Sequence, residues 1–158
     1  LSNEQLFSFL MIRNAYGQTP LHLLMLPKHR EKPEAVIEVI KMLGLKLEPQ
    51  QWNYLLLMSD SYGYTLWHQL FSQLLGNNAF SFSVSMWHSL KAKLQSDSIL
   101  KQNMYGETAL HILLRQYYQY GLAARLEKPD EAWIARLRIL NEILAELYLF
   151  KPLWDIMD

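Results

Sequence analysis

The chain has 158 residues, of which 51% are hydrophobic, and its 15 basic and 15 acidic residues balance to zero net charge. This length and hydrophobic content suffice for one folded domain and exclude an intrinsically disordered chain. Zero net charge argues against nucleic acid as the main ligand, because phosphate binding depends on a basic surface. Without cysteine, the chain has neither disulfides nor thiolate metal ligands.

The chain opens with Leu1-Ser2-Asn3-Glu4, which has neither an initiator Met nor the basic start of a signal peptide. We therefore expect residues 1–158 to form a single domain of a longer protein. Flanking domains, catalytic ones included, would then lie outside this sequence.

One short phrase occurs three times, at residues 14–22, 60–68 and 103–111. Its copies share an Asn or Asp, then Tyr-Gly, then Thr, and finally His. The glycines Gly17 and Gly63 are 46 residues apart, and Gly106 follows 43 residues later. Self-similarity at such a period indicates stacked repeat units, none of which can bury its apolar face alone.

Each position of the phrase suits a turn that leads into a helix. The Asn or Asp bonds its own backbone two residues on, and the glycine adopts positive φ without a steric penalty. The threonine supplies an N-cap oxygen, and the leucine or tryptophan before the histidine begins the buried helix face. The residues expected to build the turns and helix starts are Gly17, Thr19, His22, Gly63, Thr65, His68, Gly106, Thr108 and His111.

The phrase resembles the opening of an ankyrin repeat, whose signature is Thr-Pro-Leu-His after a Gly-containing turn. Residues 19–22 match that signature in full, whereas Leu66 and Ala109 replace the proline in the later copies. Both intervals exceed the family's usual period of about 33 residues. Bulky pairs such as Leu70-Phe71 also stand where the family has two alanines. A HEAT or armadillo unit would fit the longer period, but plain helical pairs have no reason to repeat Gly, Thr and His in register.

The resemblance implies an all-α, ankyrin-like solenoid of about three lengthened units with a C-terminal closing helix. The units would span about 14–59, 60–102 and 103–149, and residues 1–13 would be the remnant or cap of a preceding unit. The first unit is expected to hold helices over 19–26, from 33 to a stop at Gly44, and 49–57. The second is expected to hold helices over 65–75 and 84–94, with a loop at 76–80 and a break at 96–98. The third is expected to hold a helix over 108–120, a loop beginning at Gly121, and the closing helix from Asp130 to about Tyr148.

The segment from Ser61 to Leu90 contains no charged residue. Its glutamines, asparagines and serines make it too polar for a transmembrane helix, which needs about 20 predominantly apolar residues. We therefore expect a central unit that its neighbours cover on both sides.

Three histidines recur at one position of the phrase, so a stack would space them apart instead of gathering them around one ion. The ankyrin resemblance implies that each one ties its helix start to its own turn and to the neighbouring turn. The sequence contains no nucleophile elbow, phosphate loop or His-Glu-x-x-His motif. We expect no metal, no cofactor and no enzymatic activity in this domain.

Partner binding is expected at positions that differ between the copies or that add exposed aromatic area, because Tyr and Arg dominate interface energies. These positions are Gln18, Tyr64, Ser72, Gln73, Glu107, Arg115, Gln116 and Tyr118. The invariant tyrosines Tyr16, Tyr62 and Tyr105 are expected instead to pack each turn on its neighbour. Ankyrin-like stacks bind partners on the concave surface of turn tips and first helices, so the resemblance implies a protein–protein interaction module.

Two other functions stay open from the sequence. One is a membrane- or lipid-proximal adaptor that uses the uncharged middle, with Phe80 and Phe82 of the predicted loop inserting into a partner or a membrane. The other is a helical-repeat domain attached to an enzyme. Degenerate, overlong units rich in Leu and Gln resemble the repeats in effector proteins of intracellular bacteria. That resemblance implies an intracellular location, inside the host cell for a delivered effector.

Overall fold

The computed structural model describes residues 2–26, 33–74, 80–126 and 131–149. Within these ranges the chain is helical and has no β-strand, which confirms the all-α prediction. The helices are α1 (Asn3–Leu10), α2 (Pro20–Leu24), α3 (Pro33–Lys46), α4 (Pro49–Leu57), α5 (Leu66–Gln73), α6 (Phe80–Leu90), α7 (Ser96–Leu100), α8 (Ala109–Leu126) and α9 (Glu131–Tyr148). A short 3-10 helix, Lys91–Lys93, follows α6.

Three of these helices, α2, α5 and α8, begin directly after the repeated turns. In the first, Thr19 is the N-cap, and its hydroxyl oxygen accepts the backbone N–H of His22. The His22 ring in turn accepts the backbone N–H of Thr19 at Nδ1, over 3.3 Å. This is a reciprocal capping box in which histidine takes the place of the usual Glu or Gln. The same Thr–His pairing precedes α5 and α8.

Helices at equivalent places in successive units pack against each other. Helix α5 contacts α2 on one side and α8 on the other, α3 contacts α6, and α4 contacts α7. Helix α1 lies before the first turn as α4 lies before the second and α7 before the third. The rings of Phe7 in α1 and Tyr54 in α4 also meet edge to face, with centroids 6.1 Å apart. The chain therefore adds one set of helices after another in the same order.

Helices α5 and α6, which belong to the uncharged segment, form the centre of the core. Trp67 and Phe71 of α5 and Trp87 of α6 are fully buried, and their rings contact one another with centroids 5.8–6.3 Å apart. Burying each such aromatic side chain contributes several times the stabilisation of a single surface contact. Charge is absent here because the neighbouring helices leave α5 and α6 little contact with water.

The predicted position of Phe80 and Phe82 in a loop was wrong. Both residues belong to α6, and Phe82 is only 2% exposed. Phe82, Met86 and Leu90 recur every four residues and are all buried, so they form one apolar stripe along the helix. Because this stripe includes Phe82, the helix begins at Phe80, four residues before the predicted start at Val84. The rest of the predicted loop, 76–79, lies outside the described residues.

Three other predicted helix ends also differ from the structure. Helix α3 continues past Gly44, because Leu43 and Leu47 are both buried on one face. Helix α8 continues past Gly121, where the stacking of Tyr120 on Trp133 pairs it with α9. The predicted break at 96–98 is the start of α7. The closing helix α9 lies where the sequence predicts it, although its predicted N-cap, Asp130, lies outside the described residues.

Candidate interaction surface at the repeated turns

Each repeated turn is held by one side chain that bonds its own backbone. In the first turn, the Asn14 side-chain oxygen accepts the N–H groups of Tyr16 and Gln18 over 2.9 and 3.0 Å. The Gly17 N–H donates to the Asn14 carbonyl, and φ of Gly17 is +71°. Asp60 and Asn103 bond their turns in the same way, with Gly63 and Gly106 also at positive φ. The side-chain bonds fix the backbone of all three turns in one shape.

Backbone hydrogen bonds join each turn to the next one. The Ser61 N–H of the second turn donates to the Tyr16 carbonyl of the first over 3.0 Å. The Met104 N–H of the third turn donates to the Tyr62 carbonyl of the second over 2.9 Å. These two bonds link equivalent groups, so the turns form a ladder.

Two buried histidines add a second connection between the turns. His22 Nε2 lies 3.0 Å from the Tyr64 carbonyl of the second turn, and His68 Nε2 lies 3.0 Å from the Glu107 carbonyl of the third. Since Nδ1 of each ring accepts a backbone N–H from its own turn, the neutral tautomer with the proton on Nε2 satisfies both sides. Each ring therefore bonds its own turn and the following one, the role that the ankyrin resemblance implies.

Burial lowers the pKa of His22 and of His68 below the ordinary value of 6.5, although the hydrogen bond to a carbonyl opposes that shift. Protonation would also place a proton on Nδ1, where a backbone N–H already points. The ladder therefore needs both imidazoles neutral.

The third histidine has a different environment. His111 bonds Thr108 of its own turn through Nδ1, but its side chain is exposed. No hydrogen bond of its Nε2 is found in the described part of the chain. The phrase thus occurs three times, but in the described residues only the first two copies have a histidine that bonds the carbonyl of a following turn.

We predict that the free energy of unfolding falls as the pH drops through 6.5. Below pH 6.5 the unfolded chain takes up protons at His22 and His68, whereas the folded chain, in which both pKa values are lower, does not. The contribution of the two neutral histidines to stability is therefore complete above pH 6.5 and is lost as the pH falls toward their pKa values in the folded chain. Urea unfolding from pH 8 to pH 5 measures this loss. The substitution His68→Gln should remove roughly half of the histidine-dependent decline. The matched control is His88→Gln, which replaces an exposed histidine outside the ladder. An unchanged decline in His68→Gln would contradict the assignment.

Glycine is required at the turns for two reasons: its φ is positive, and at two of the three turns a Cβ would clash with the following turn. A Cβ on Gly63 would lie 2.8 Å from Asn103 Cα and 2.9 Å from Met104 N. A Cβ on Gly17 would lie 2.7 Å from Ser61 N. A Cβ on Gly106 would meet no atom within 4 Å in the part of the chain that the structure describes. All three share positive φ, but only the first two touch a following turn.

We predict that Gly63→Ala destabilises the fold more than Gly106→Ala does. Both substitutions carry the cost of a left-handed non-glycine residue, about 1 kcal/mol. Gly63→Ala adds a backbone clash, and overpacking of this kind costs about 1–3 kcal/mol more. Urea unfolding of the two variants measures the difference. Equal losses would mean that the turns do not stack as described.

The invariant tyrosines do not pack each turn on its neighbour, so that expectation was wrong. The side chains of Tyr16, Tyr62 and Tyr105 are 65%, 52% and 65% exposed. The contact between the turns uses the backbone carbonyls of Tyr16 and Tyr62 instead. The three rings therefore remain open to solvent on turns whose backbone is fixed.

Three of the predicted partner-binding residues lie where the second turn meets the third. Glu107 and Arg115 form an ion pair, and Asn103 also bonds the Glu107 carboxylate over 3.4 Å. Desolvation alone would raise the pKa of Glu107, but the hydrogen bonds from Arg115 and Asn103 outweigh it and lower that pKa. Burial, reinforced by the nearby Glu107 carboxylate, raises the pKa of Tyr64. The Tyr64 ring also meets edge to face the ring of His68, which bonds the Glu107 carbonyl. Tyr64, Glu107 and Arg115 therefore form one cluster, the Tyr64–Arg115 cluster.

The other predicted binding residues have varied surroundings. The Gln18 side chain accepts a hydrogen bond from Asn14, and the exposed Ser72 bonds the Gln69 carbonyl. Gln73 donates to the Met25 carbonyl over 2.9 Å, which ties α5 to the end of α2. Gln116 is half-buried.

Tyr118 is 69% exposed. It lines a cavity of about 240 Å³ between α8 and α9. The other residues that line this cavity are Tyr117, Gly121, Leu122 and Leu137.

In the described part of the chain, no group of three or more His, Asp or Glu residues lies close enough to hold a metal ion. No helix in the described ranges combines the length and the apolar content that crossing a bilayer demands. The chain matches no protein-family model, no curated protein and no solved structure.

Proposed function

We propose that this chain is an ankyrin-like repeat module that binds a partner protein through its turn tips and the adjoining first helices. The observation that carries the proposal is the exposure of Tyr16, Tyr62 and Tyr105, one on each rigid turn. The ladder does not need a tyrosine side chain at these positions, because it uses the backbone carbonyls of Tyr16 and Tyr62.

Exposed tyrosines on a fixed backbone suit protein recognition. A tyrosine ring offers a large contact area with a polar end, and it has few rotatable bonds to order on binding. Because the turn backbone is already held by Asn14, Asp60 and Asn103, a partner would not have to order it. Pre-organisation of this kind raises affinity by lowering the entropy cost of association.

The Tyr64–Arg115 cluster supplies the charged part of the same surface. Arg115 keeps 47% of its side chain exposed while it pairs with Glu107, so the guanidinium can also contact a partner group. An exposed ion pair contributes little to folding, about 0–1 kcal/mol, so its charges remain free to select a partner. We assign recognition mainly to the tyrosines and selectivity mainly to this cluster.

The lipid-adaptor alternative has no support from the described geometry. It relied on the uncharged segment 61–90 and on Phe80 and Phe82 in a loop. Phe82, Trp67 and Trp87 are buried, so these apolar residues form the core instead of a surface for lipid.

We predict that the triple variant Tyr16→Ser/Tyr62→Ser/Tyr105→Ser folds normally and loses its partner. The rings are exposed, so each substitution should change the free energy of unfolding by only about 0.5 kcal/mol. The measurement is affinity capture from a lysate followed by mass spectrometry, with circular dichroism as the check of folding. The matched control is Met42→Ser/Leu45→Ser, which removes two exposed apolar side chains from α3. Capture that survives the tyrosine variant as well as the control would refute the proposal.

The Tyr64–Arg115 cluster is tested separately by exchanging its charges. The double variant Glu107→Arg/Arg115→Glu can keep an ion pair while it reverses the direction of the charges. We predict normal folding and at least about tenfold weaker binding of the captured partner, as for a mispaired interface charge. Isothermal titration with that partner measures the change, and unchanged affinity would remove this cluster from the binding surface.

A further inference from the structure

Several positions that are buried in the first two units are open in the third. His22 and His68 are fully buried, whereas His111 is exposed. Three residues after each histidine come Met25, Phe71 and Leu114, of which the first two are at most 1% exposed and Leu114 is 47% exposed. The helices of the following unit cover these positions in the first two units, whereas in the third unit no helix among the described residues follows α9 to cover them.

The hydrogen-bonding groups of the third turn show the same difference. The Tyr16 and Tyr62 carbonyls each accept an N–H from the following turn, but no described residue donates to the Tyr105 carbonyl. His111 Nε2 likewise lacks, among the described residues, the carbonyl partner that His22 and His68 have. This edge of the third turn, with the Tyr105 carbonyl, His111 Nε2 and Leu114, is called the outgoing edge.

The space beside the outgoing edge has the shape of one more turn. The turns that follow Gly17 and Gly63 approach within 3 Å of where a Cβ would lie. Around Gly106, no atom of the described residues outside the turn lies within 4 Å of that position.

The first turn carries the complementary groups. Ala15 occupies the place of Ser61 and Met104, the residues whose N–H groups bond the preceding turn. No hydrogen bond of the Ala15 N–H is found among the described residues, and Ala15 is exposed. The Gln18 carbonyl occupies the place of the Tyr64 and Glu107 carbonyls that bond the histidines. We call this the incoming edge.

We propose that a second copy of this chain docks its incoming edge on the outgoing edge of the first. The Ala15 N–H would donate to the Tyr105 carbonyl, His111 Nε2–H would donate to the Gln18 carbonyl, and Leu114 would be covered. The two edges differ, so the contact is head-to-tail and leaves one edge of each kind free on the pair. Association therefore continues to longer species as the concentration rises.

The repeat geometry supports this contact. The incoming turn has the same internal hydrogen bonds as the second and third turns, which already make such contacts. Helix α1 precedes the first turn, just as α4 precedes the second turn and α7 the third. In the chain, α7 packs on α4. In the proposed contact, α1 of the second copy would pack on α7 of the first copy in the same way. The proposal concerns the end of the stack and needs no partner protein, so it stands apart from the proposed function.

Two substitutions block one edge each and spare the monomer. Ala15→Pro removes the N–H of the incoming edge at a turn position where proline is favoured. Gly106→Asn keeps a residue that tolerates positive φ and fills the space beside the outgoing edge. Gly121→Asn in α8 is the control, because a side chain there also meets open space but lies away from the turn.

The experiment is sedimentation velocity from micromolar to millimolar protein, with circular dichroism and thermal melting of each variant as checks of folding. We expect the sedimentation coefficient of the native chain and of Gly121→Asn to rise with concentration. Ala15→Pro alone and Gly106→Asn alone should stay monomeric. An equimolar mixture of these two variants should form a dimer and nothing larger, because one intact edge of each kind remains. A native chain that stays monomeric, association that survives either blocking variant, or a mixture that stays monomeric would each overturn the proposal.

Discussion

The structure depends on the hydrogen bonds that each repeated turn makes to the next one. A helix of α2's length is not stable alone, and the units are short of the apolar surface needed to fold separately. The backbone bond to Tyr16 or Tyr62 and the buried histidine set how one unit lies on another. That registration lets α5 pack on α2 and on α8, and the core between the units follows from it.

The same bonds explain why the turn tips are available for binding. The ladder uses only backbone atoms at Tyr16 and Tyr62, so their side chains are left free. Capping by Asn14, Asp60 and Asn103 removes flexibility from the loops that carry these rings. A surface built in this way combines a constant aromatic row with variable neighbours such as Tyr64 and Glu107. In the proposed function, the constant residues provide contact area and the variable ones provide selectivity.

The sequence predicted what short-range chemistry determines. An Asn that bonds its own turn, a Gly at positive φ and a Thr–His helix start each involve residues at most four positions apart, so the phrase reveals them. Longer-range packing was not predictable in this way. The exposure of Tyr16 depends on how the next turn approaches, and the extent of α6 depends on burial of Phe82 in the core. His68 and His111 occupy the same place in equivalent phrases, but His68 is buried and bonds a following turn, whereas His111 is exposed.

The most direct test of the ladder is amide hydrogen exchange at the three equivalent positions Ala15, Ser61 and Met104. NMR of dilute Gly106→Asn protein keeps self-association out of the measurement. The account predicts strong protection of the Ser61 and Met104 amides, which donate to the preceding turn, and fast exchange of the Ala15 amide, which does not. Equally fast exchange at all three amides would contradict the stacking of the turns.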